Sequence, residues 1–167
     1  HLYLYSVSRG RLRALTEGAW EVTEVVEVTD ERVYYLSTET SPLRRNLYSV
    51  KLNGRDKRRI TERDGMYRIA PSRGMRYYIS YFSSADDPQT VTLHRADGEL
   101  VRVLEDNSDY VKATIDLPRK EFFTFTTERG DRLNGYMVRP SDFDKTKKYP
   151  VLMTQYSGPG SQSVADS

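Results

Sequence analysis

The sequence predicts a mainly β chain, with repeated units of a partial β-propeller followed by strands of a different kind. Three observations predict this. Short runs that alternate apolar and polar dominate, and few stretches carry the 3.6-residue period of a helix. Glycine turns recur at Gly10, Gly54 and Gly98, 44 residues apart each time. Tyrosine is in excess, 13 of 167 residues, and Tyr, Val and Thr suit a pleated, half-buried surface.

In chain order, the alternation places strands at 2–7, 12–16, 21–28, 32–38, 46–52, 57–61, 66–70, 76–82, 90–95 and 100–104. The turns Ser8-Arg9-Gly10, Asn53-Gly54 and Asp97-Gly98 read as hairpins, and Asn-Gly and Asp-Gly favour type I′ geometry. The strands recur as well as the turns. Leu2-Tyr3 returns as Leu47-Tyr48, 45 residues on; Leu15-Thr16 returns as Ile60-Thr61, also 45 on; Tyr34-Tyr35 returns as Tyr77-Tyr78, 43 on. A period of about 40–50 residues with four short strands per unit is the pattern of a propeller blade. A β-sandwich with regular strand spacing is the competing reading, and the matched turns and strand endings over two units favour the propeller.

The pattern changes after Leu104. Residues 105–119 are polar, with a short helix expected over Asp109–Ile115, capped by Ser108 or Asp109. Strands follow at Glu121–Thr127 and Leu133–Arg139, the second stopping at Pro140. Tyr149–Tyr156 holds the continuous apolar run Val151-Leu152-Met153, which fits a strand buried on both faces in a sheet covered by helices. Three segments result: 1–105, a connector at 106–120, and 121–167. His1 begins inside a strand-like pattern without an initiator Met, so the chain is expected to be a piece of a longer one.

Composition excludes several chemistries. The 26 basic and 24 acidic side chains are interspersed and leave a net charge of +2, too balanced for a nucleic-acid clamp. Without cysteine there is no disulfide framework, thiolate nucleophile or thiolate-held metal. No run of 18 apolar residues exists to span a membrane. Gly158-Pro159-Gly160-Ser161-Gln162 lacks the glycine after serine that a nucleophile elbow needs, and its Gly-x-Gly meets Ser163 where a dinucleotide fingerprint has its third glycine. His94 reads as a solvated strand histidine, Arg55–Arg59 as a solvated hairpin flank and Trp20 as an aromatic anchor of a sheet core. No cofactor or metal is expected.

The segment from Lys147 to Gln162 is harder to read as scaffold. A tyrosine, Tyr156, closes the apolar run and a Gly/Pro-rich loop follows. The carboxyl ends of strands in open α/β sheets gather ligands and catalytic groups. Spacing alone leaves two readings of Tyr156 open, a reactive-site phenol and a plug at the loop base.

The run Tyr-Pro-Val-Leu-Met-x-x-Tyr-x-Gly-Pro-Gly-Ser-Gln closely resembles the start of the hydrolase domain in the dipeptidyl peptidase IV family of serine peptidases, in the prolyl oligopeptidase clan. Thr16–Thr23, Ser41–Tyr48, Val103–Asn107 and Leu133–Pro140 resemble the same family in the same order, with bacterial, Bacteroidetes-like members the nearest in pattern. The resemblance implies the C-terminal blades of a β-propeller followed by the first strands of an α/β-hydrolase domain. It also implies release of N-terminal dipeptides with Pro or Ala second, an extracytoplasmic location and a homodimeric parent. The family's serine, aspartate and histidine would lie beyond residue 167 and its substrate-gripping glutamates before His1, so the chain alone is expected to be inactive. The one catalytic position carried over is Tyr156, whose hydroxyl would serve the oxyanion hole, with Ser157–Gly160 as a rigid turn that aims it. Its rival is a non-catalytic propeller that binds protein partners through its tyrosines.

Overall fold

The computed structural model describes residues 1–113, 118–156, 158 and 161–167. The chain divides into two units, His1–Asn107 with Asp166–Ser167, and Ser108–Ala165.

The first unit holds β1 (Tyr3–Ser6), β2 (Arg11–Ala14), β3 (Val22–Val28), β4 (Arg32–Ser37), β5 (Asn46–Lys51), β6 (Arg58–Arg59), β7 (Met66–Pro71), β8 (Tyr77–Ser83), β9 (Thr90–Arg95) and β10 (Leu100–Glu105). They form a hairpin, β1-β2, and two four-stranded antiparallel meanders, β3-β4-β5-β6 and β7-β8-β9-β10. The 44-residue repeat therefore straddles sheets: its glycine turns join the last two strands of each sheet, and β1-β2 corresponds to β5-β6 and β9-β10.

Two strands are shorter than expected, for one shared reason. Leu47 N–H donates to the Thr61 hydroxyl (3.1 Å), and Leu2 N–H donates to that of Thr16 (2.8 Å). Ile60 N–H meanwhile reaches the Leu47 carbonyl (2.8 Å), as Leu15 N–H reaches that of Leu2 (2.9 Å). A threonine side chain thus takes over from a backbone carbonyl as acceptor at the end of each ladder. That is the physical content of the repeated Leu/Ile-Thr pair.

The hairpin turns are not type I′. Asn53 and Asp97 keep negative φ, and only the glycines are left-handed, Gly54 at 77° and Gly98 at 100°. Gly54 N–H donates to Lys51 O (2.8 Å) and Gly98 N–H to Arg95 O (3.0 Å), giving a type I turn closed by a glycine bulge. The side chains explain the choice. Asn53 Oδ1 accepts from Arg55 N–H (2.9 Å) and Asp97 Oδ1 from Glu99 N–H (3.0 Å), which satisfies the turn locally and leaves one residue to go left-handed.

The core lies between the sheets. β4 is buried on both faces, so its alternation sends successive side chains to opposite neighbours. Val33 and Tyr35 join Tyr48, Val50 and Leu15, with Leu2, Trp20, Val22 and Leu52 packed around them. Tyr34 and Leu36 join Leu47, Ile60, Ile69, Met75 and Tyr78. In both tyrosine pairs the second ring, Tyr35 or Tyr78, packs towards the preceding sheet. Trp20 stacks on Tyr35 at 6.3 Å and Tyr35 on Tyr48 at 5.8 Å, a column of rings across one interface. A parallel bridge, Arg45 N–H to Gly65 O and Tyr67 N–H to Arg45 O (3.0 Å each), stitches the two meanders together at the start of β5 and β7.

The second unit contains α1 (Ser108–Ala113), β11 (Lys120–Thr126) and β12 (Arg132–Val138). The helix begins at Ser108, one residue before the expected start; its expected end at Ile115 lies outside the described residues. β11 and β12 pair along their whole length, Lys120 opposite Val138 through Thr126 opposite Arg132. The expected strand over 149–156 is not formed: no described strand pairs with it, and Val151, Leu152 and Met153 are 88%, 91% and 79% exposed. An apolar run states only that both faces favour burial; a strand also needs a neighbour for its N–H and C=O groups, and no described strand supplies one to this run.

Gly54 and Gly98 occupy equivalent turns but differ in room. A Cβ at Gly54 would lie 3.5 Å from Ala14 O, an ordinary contact, whereas at Gly98 it would lie 2.7 Å from Ile60 O. Gly54→Ala should therefore cost only the left-handed strain of about 1–2 kcal/mol, and Gly98→Ala distinctly more. Urea unfolding of both variants in one background checks this; equal losses would contradict it.

Candidate functional site

The approach to Tyr156 is built locally. Pro140 ends the hairpin, and Phe143 N–H turns back to its carbonyl (3.1 Å). Asp144 then organises the next turn: its Oδ1 accepts from Thr146 N–H (2.9 Å) and from the Thr146 hydroxyl (2.7 Å). These bonds, the backbone one first, hold the Asp144 carboxyl below its ordinary pKa. Asp144 N–H donates to the Tyr149 hydroxyl (3.0 Å), and the Phe143 and Tyr149 rings pack at 5.1 Å. Arg139 pairs with Glu121 (2.9 Å) and lies over the Phe143 ring at 4.9 Å.

Tyr156 follows this frame as an exposed phenol, 69% accessible. It does not sit at a strand end, as the sequence had implied, because the strand itself is absent. Its ring instead lies against Gly158. A Cβ at that position would come 2.8 Å from Tyr156 Cε1 and 3.0 Å from its hydroxyl oxygen. The ring and Gly158 are thus in close contact. Ser157, Pro159 and Gly160, read as the rest of an aiming turn, lie outside the described residues. A phenol is a neutral donor at physiological pH, and an exposed one can approach an oxygen on which charge develops.

The other candidates are structural. His94 is half-buried rather than solvated. Its Nδ1 lies 2.9 Å from Gly98 O, its Nε2 lies 2.8 Å from the Thr92 hydroxyl, and its ring stacks on Tyr78 at 5.1 Å. With both ring nitrogens engaged, it ties the β9-β10 turn to the core. Trp20 is the anchor expected of it, though it comes from the loop before β3. In Arg55–Arg59 the acid organises the bases: Asp56 pairs with Arg32 (2.9 Å), Arg58 (2.8 Å) and Lys51 (3.5 Å). A carboxylate already holding three cations leaves no free basic cradle for a phosphate. Among the described residues no group of three His, Asp or Glu side chains could hold a metal ion, and no helix is long and apolar enough to cross a membrane.

Sequence reading missed the pairing of Arg44 with Asp166, 2.8 Å apart and 122 residues distant in the chain. No local pattern could have found it, because neither residue lies in a periodic motif.

Four-stranded antiparallel meanders, repeated at a fixed period and packed face to face, define blades of a β-propeller. The comparisons narrow that class. Residues 1–89 match the family described as the dipeptidyl peptidase IV (DPP IV) N-terminal region. The chain belongs to the dipeptidyl peptidase IV family. The crystal structure of Porphyromonas gingivalis dipeptidyl peptidase 4 superimposes with a TM-score of 0.90 at 38% identity, over 99% of this chain and 24% of that one. The "Probable dipeptidyl peptidase 4" of Emericella nidulans is 34% identical over 171 residues, 99% of this chain and 22% of that protein. The "Probable dipeptidyl-aminopeptidase B" of Botryotinia fuckeliana is 34% identical over 165 residues, 92% of this chain and 18% of that protein. The chain thus spans about a fifth of the length of the curated relatives it matches.

Asp56 gives the β3-β4-β5-β6 sheet an acid-sensitive tie. Hydrogen bonds from Arg58 and then Arg32 hold its carboxyl well below the usual carboxylate range. A depressed folded-state pKa contributes stability above the unfolded value, and that contribution disappears as pH falls through the folded one. The unfolding midpoint should therefore drop as pH is lowered from about 5 towards 2, and Asp56→Asn should flatten the drop. An unchanged pH profile in the Asn variant would contradict the assignment.

Proposed function

We propose that this chain is part of a serine exopeptidase that removes dipeptides with a penultimate Pro or Ala from peptide N-termini. Residues 1–105 supply C-terminal propeller blades, 106–120 connect, and 121–167 open the α/β-hydrolase domain. The parent works outside the cytoplasm as a homodimer and uses no metal or cofactor. The observation that carries this reading is family membership together with Tyr156, an exposed phenol folded over Gly158 in the Tyr149–Gln162 motif.

The chemistry assigns that phenol one task. A serine hydroxyl, deprotonated by histidine, adds to the scissile carbonyl, and the carbonyl oxygen becomes an oxyanion. Tyr156 donates its O–H to that oxygen and keeps its own proton. Collapse expels the amine, which takes the proton from histidine, and water releases the dipeptide from the acyl-enzyme by the same steps. The second donor is the backbone N–H after the nucleophile, as in other α/β-hydrolases. The donor acts on charge that exists only near the transition state, so it bears on kcat more than on KM.

Two outcomes test the proposal. The 167-residue chain alone should give no turnover of a Gly-Pro chromogenic substrate that the parent cleaves; measurable hydrolysis would show that nucleophile and base lie within it. In the parent, Tyr156→Phe should lower kcat by roughly a hundredfold or more with little change in KM. An unaltered kcat, or a loss confined to KM, would remove the oxyanion role.

A further inference from the structure

One interface of the first unit holds polar groups that its own packing leaves unmet. Among the described residues, the Tyr35 hydroxyl, the Ser37 hydroxyl and Glu39 Oε2 are buried and have no hydrogen-bond partner. Tyr35 and Ser37 are fully buried at alternate positions of β4, so both face the side that packs on Leu15 and Trp20. Glu39 follows two residues on. The residue across the ladder is committed elsewhere. Asn46, opposite Ser37, donates to the Thr61 hydroxyl (3.1 Å) and to Arg63 O (2.9 Å), and its oxygen accepts from the Thr40 hydroxyl (2.8 Å). Burial first, and then the charge of Glu39, hold the Tyr35 phenol far above its ordinary range. Tyr35 therefore keeps its proton and is a donor without an acceptor, while Glu39 Oε2 is an acceptor without a donor. Leaving such groups unmet out of water is strongly disfavoured.

The same interface contains space. A cavity of about 290 Å³ lies beside the Gly54 turn, lined by Ala14, Leu15, Thr16, Glu17, Gly54 and Lys57. That is many times what one water needs. Lys57 joins the two features. It lines the cavity, its Nζ pairs with Glu39 Oε1, and it lies 5.2 Å from the centre of the Trp20 ring that stacks on Tyr35. The equivalent junction one sheet on is tighter: a Cβ at Gly98 would lie 2.7 Å from Ile60 O, against 3.5 Å from Ala14 O at Gly54. Lys57 already balances the charge of Glu39, so the unmet atoms suit a small neutral molecule that both donates and accepts. We propose that this interface binds a structural water, held by the Tyr35 hydroxyl, the Ser37 hydroxyl and Glu39 Oε2 and reached through the cavity beside Lys57. Three protein partners is the usual complement of a buried water.

A crystal structure of the parent peptidase, at a resolution that shows ordered water, tests the proposal. A water oxygen should lie about 3 Å from all three atoms. A dry site, or a side chain from elsewhere in the parent seated on those atoms, overturns it. A double-mutant cycle on the parent's thermal midpoint tests the energetics. Tyr35→Phe and Ser37→Ala should each lower the midpoint, because each strips a partner from the water. Together they should lower it by less than the sum, because the water they share is lost only once. A midpoint raised by either single change would mean that its hydroxyl was dry, since removing an unmet buried group relieves the fold. Strictly additive losses would mean that no water links the two. Either result overturns the proposal, and should a variant fail to fold, the crystal structure decides alone.

Discussion

The double-sided burial of β4 is the constraint on which the first unit depends. A strand with one apolar face can end a stack, but a strand with two must lie inside one. Val33 and Tyr35 need the β1-β2 hairpin and the loop around Trp20 on one side, while Tyr34 and Leu36 need β7 and β8 on the other. A one-residue slip of β4 against β5 would move every one of these side chains to the wrong neighbour. The facing pairs Val33–Val50, Tyr35–Tyr48 and Leu36–Leu47 specify the register. Tyrosine serves this arrangement because its ring fills the space between sheets, even at Tyr35, whose hydroxyl is buried without a hydrogen-bond partner among the described residues. The burial has an electrostatic signature. Desolvation raises Tyr35 and Tyr78 far above the ordinary phenol range, and Tyr67 is pushed up to about 12.

Sequence periodicity revealed more of the scaffold than of the site, and the reason is physical. Strand positions and glycine turns are local: alternation over a few residues and a left-handed glycine leave marks that need no partner. Even so, Asn53-Gly54 and Asp97-Gly98 mark where the turns fall without naming their type, because an Asx hydrogen bond competes with the type I′ geometry those pairs otherwise favour. The Leu/Ile-Thr repeat was visible as a pattern; only coordinates show that the threonine hydroxyl closes each ladder. Val151-Leu152-Met153 illustrates the opposite case. Its pattern asks for two covered faces and a paired backbone, and none of these is encoded in the run itself. Arg44 and Asp166 were invisible for the same reason at longer range.

The two units accordingly bear on function differently. The stacked meanders lie largely within the matched family region, and their links at 38–45 and 84–89 hold Asp166. The second unit supplies the reactive-site candidate, and there the local chemistry of Asp144, Tyr149 and Gly158 shapes the path to one exposed phenol.

The central claim is that the Tyr156 hydroxyl faces the oxygen that becomes negative during acyl transfer. A crystal structure of the parent protein carrying a covalently bound Xaa-Pro boronate or aldehyde would address this most directly, since the adduct's oxygen occupies the place of the oxyanion. The account predicts that hydroxyl at about 2.7–3.1 Å from the adduct oxygen. A Tyr156 ring turned away, with its hydroxyl beyond hydrogen-bond reach and another donor in its place, would contradict it.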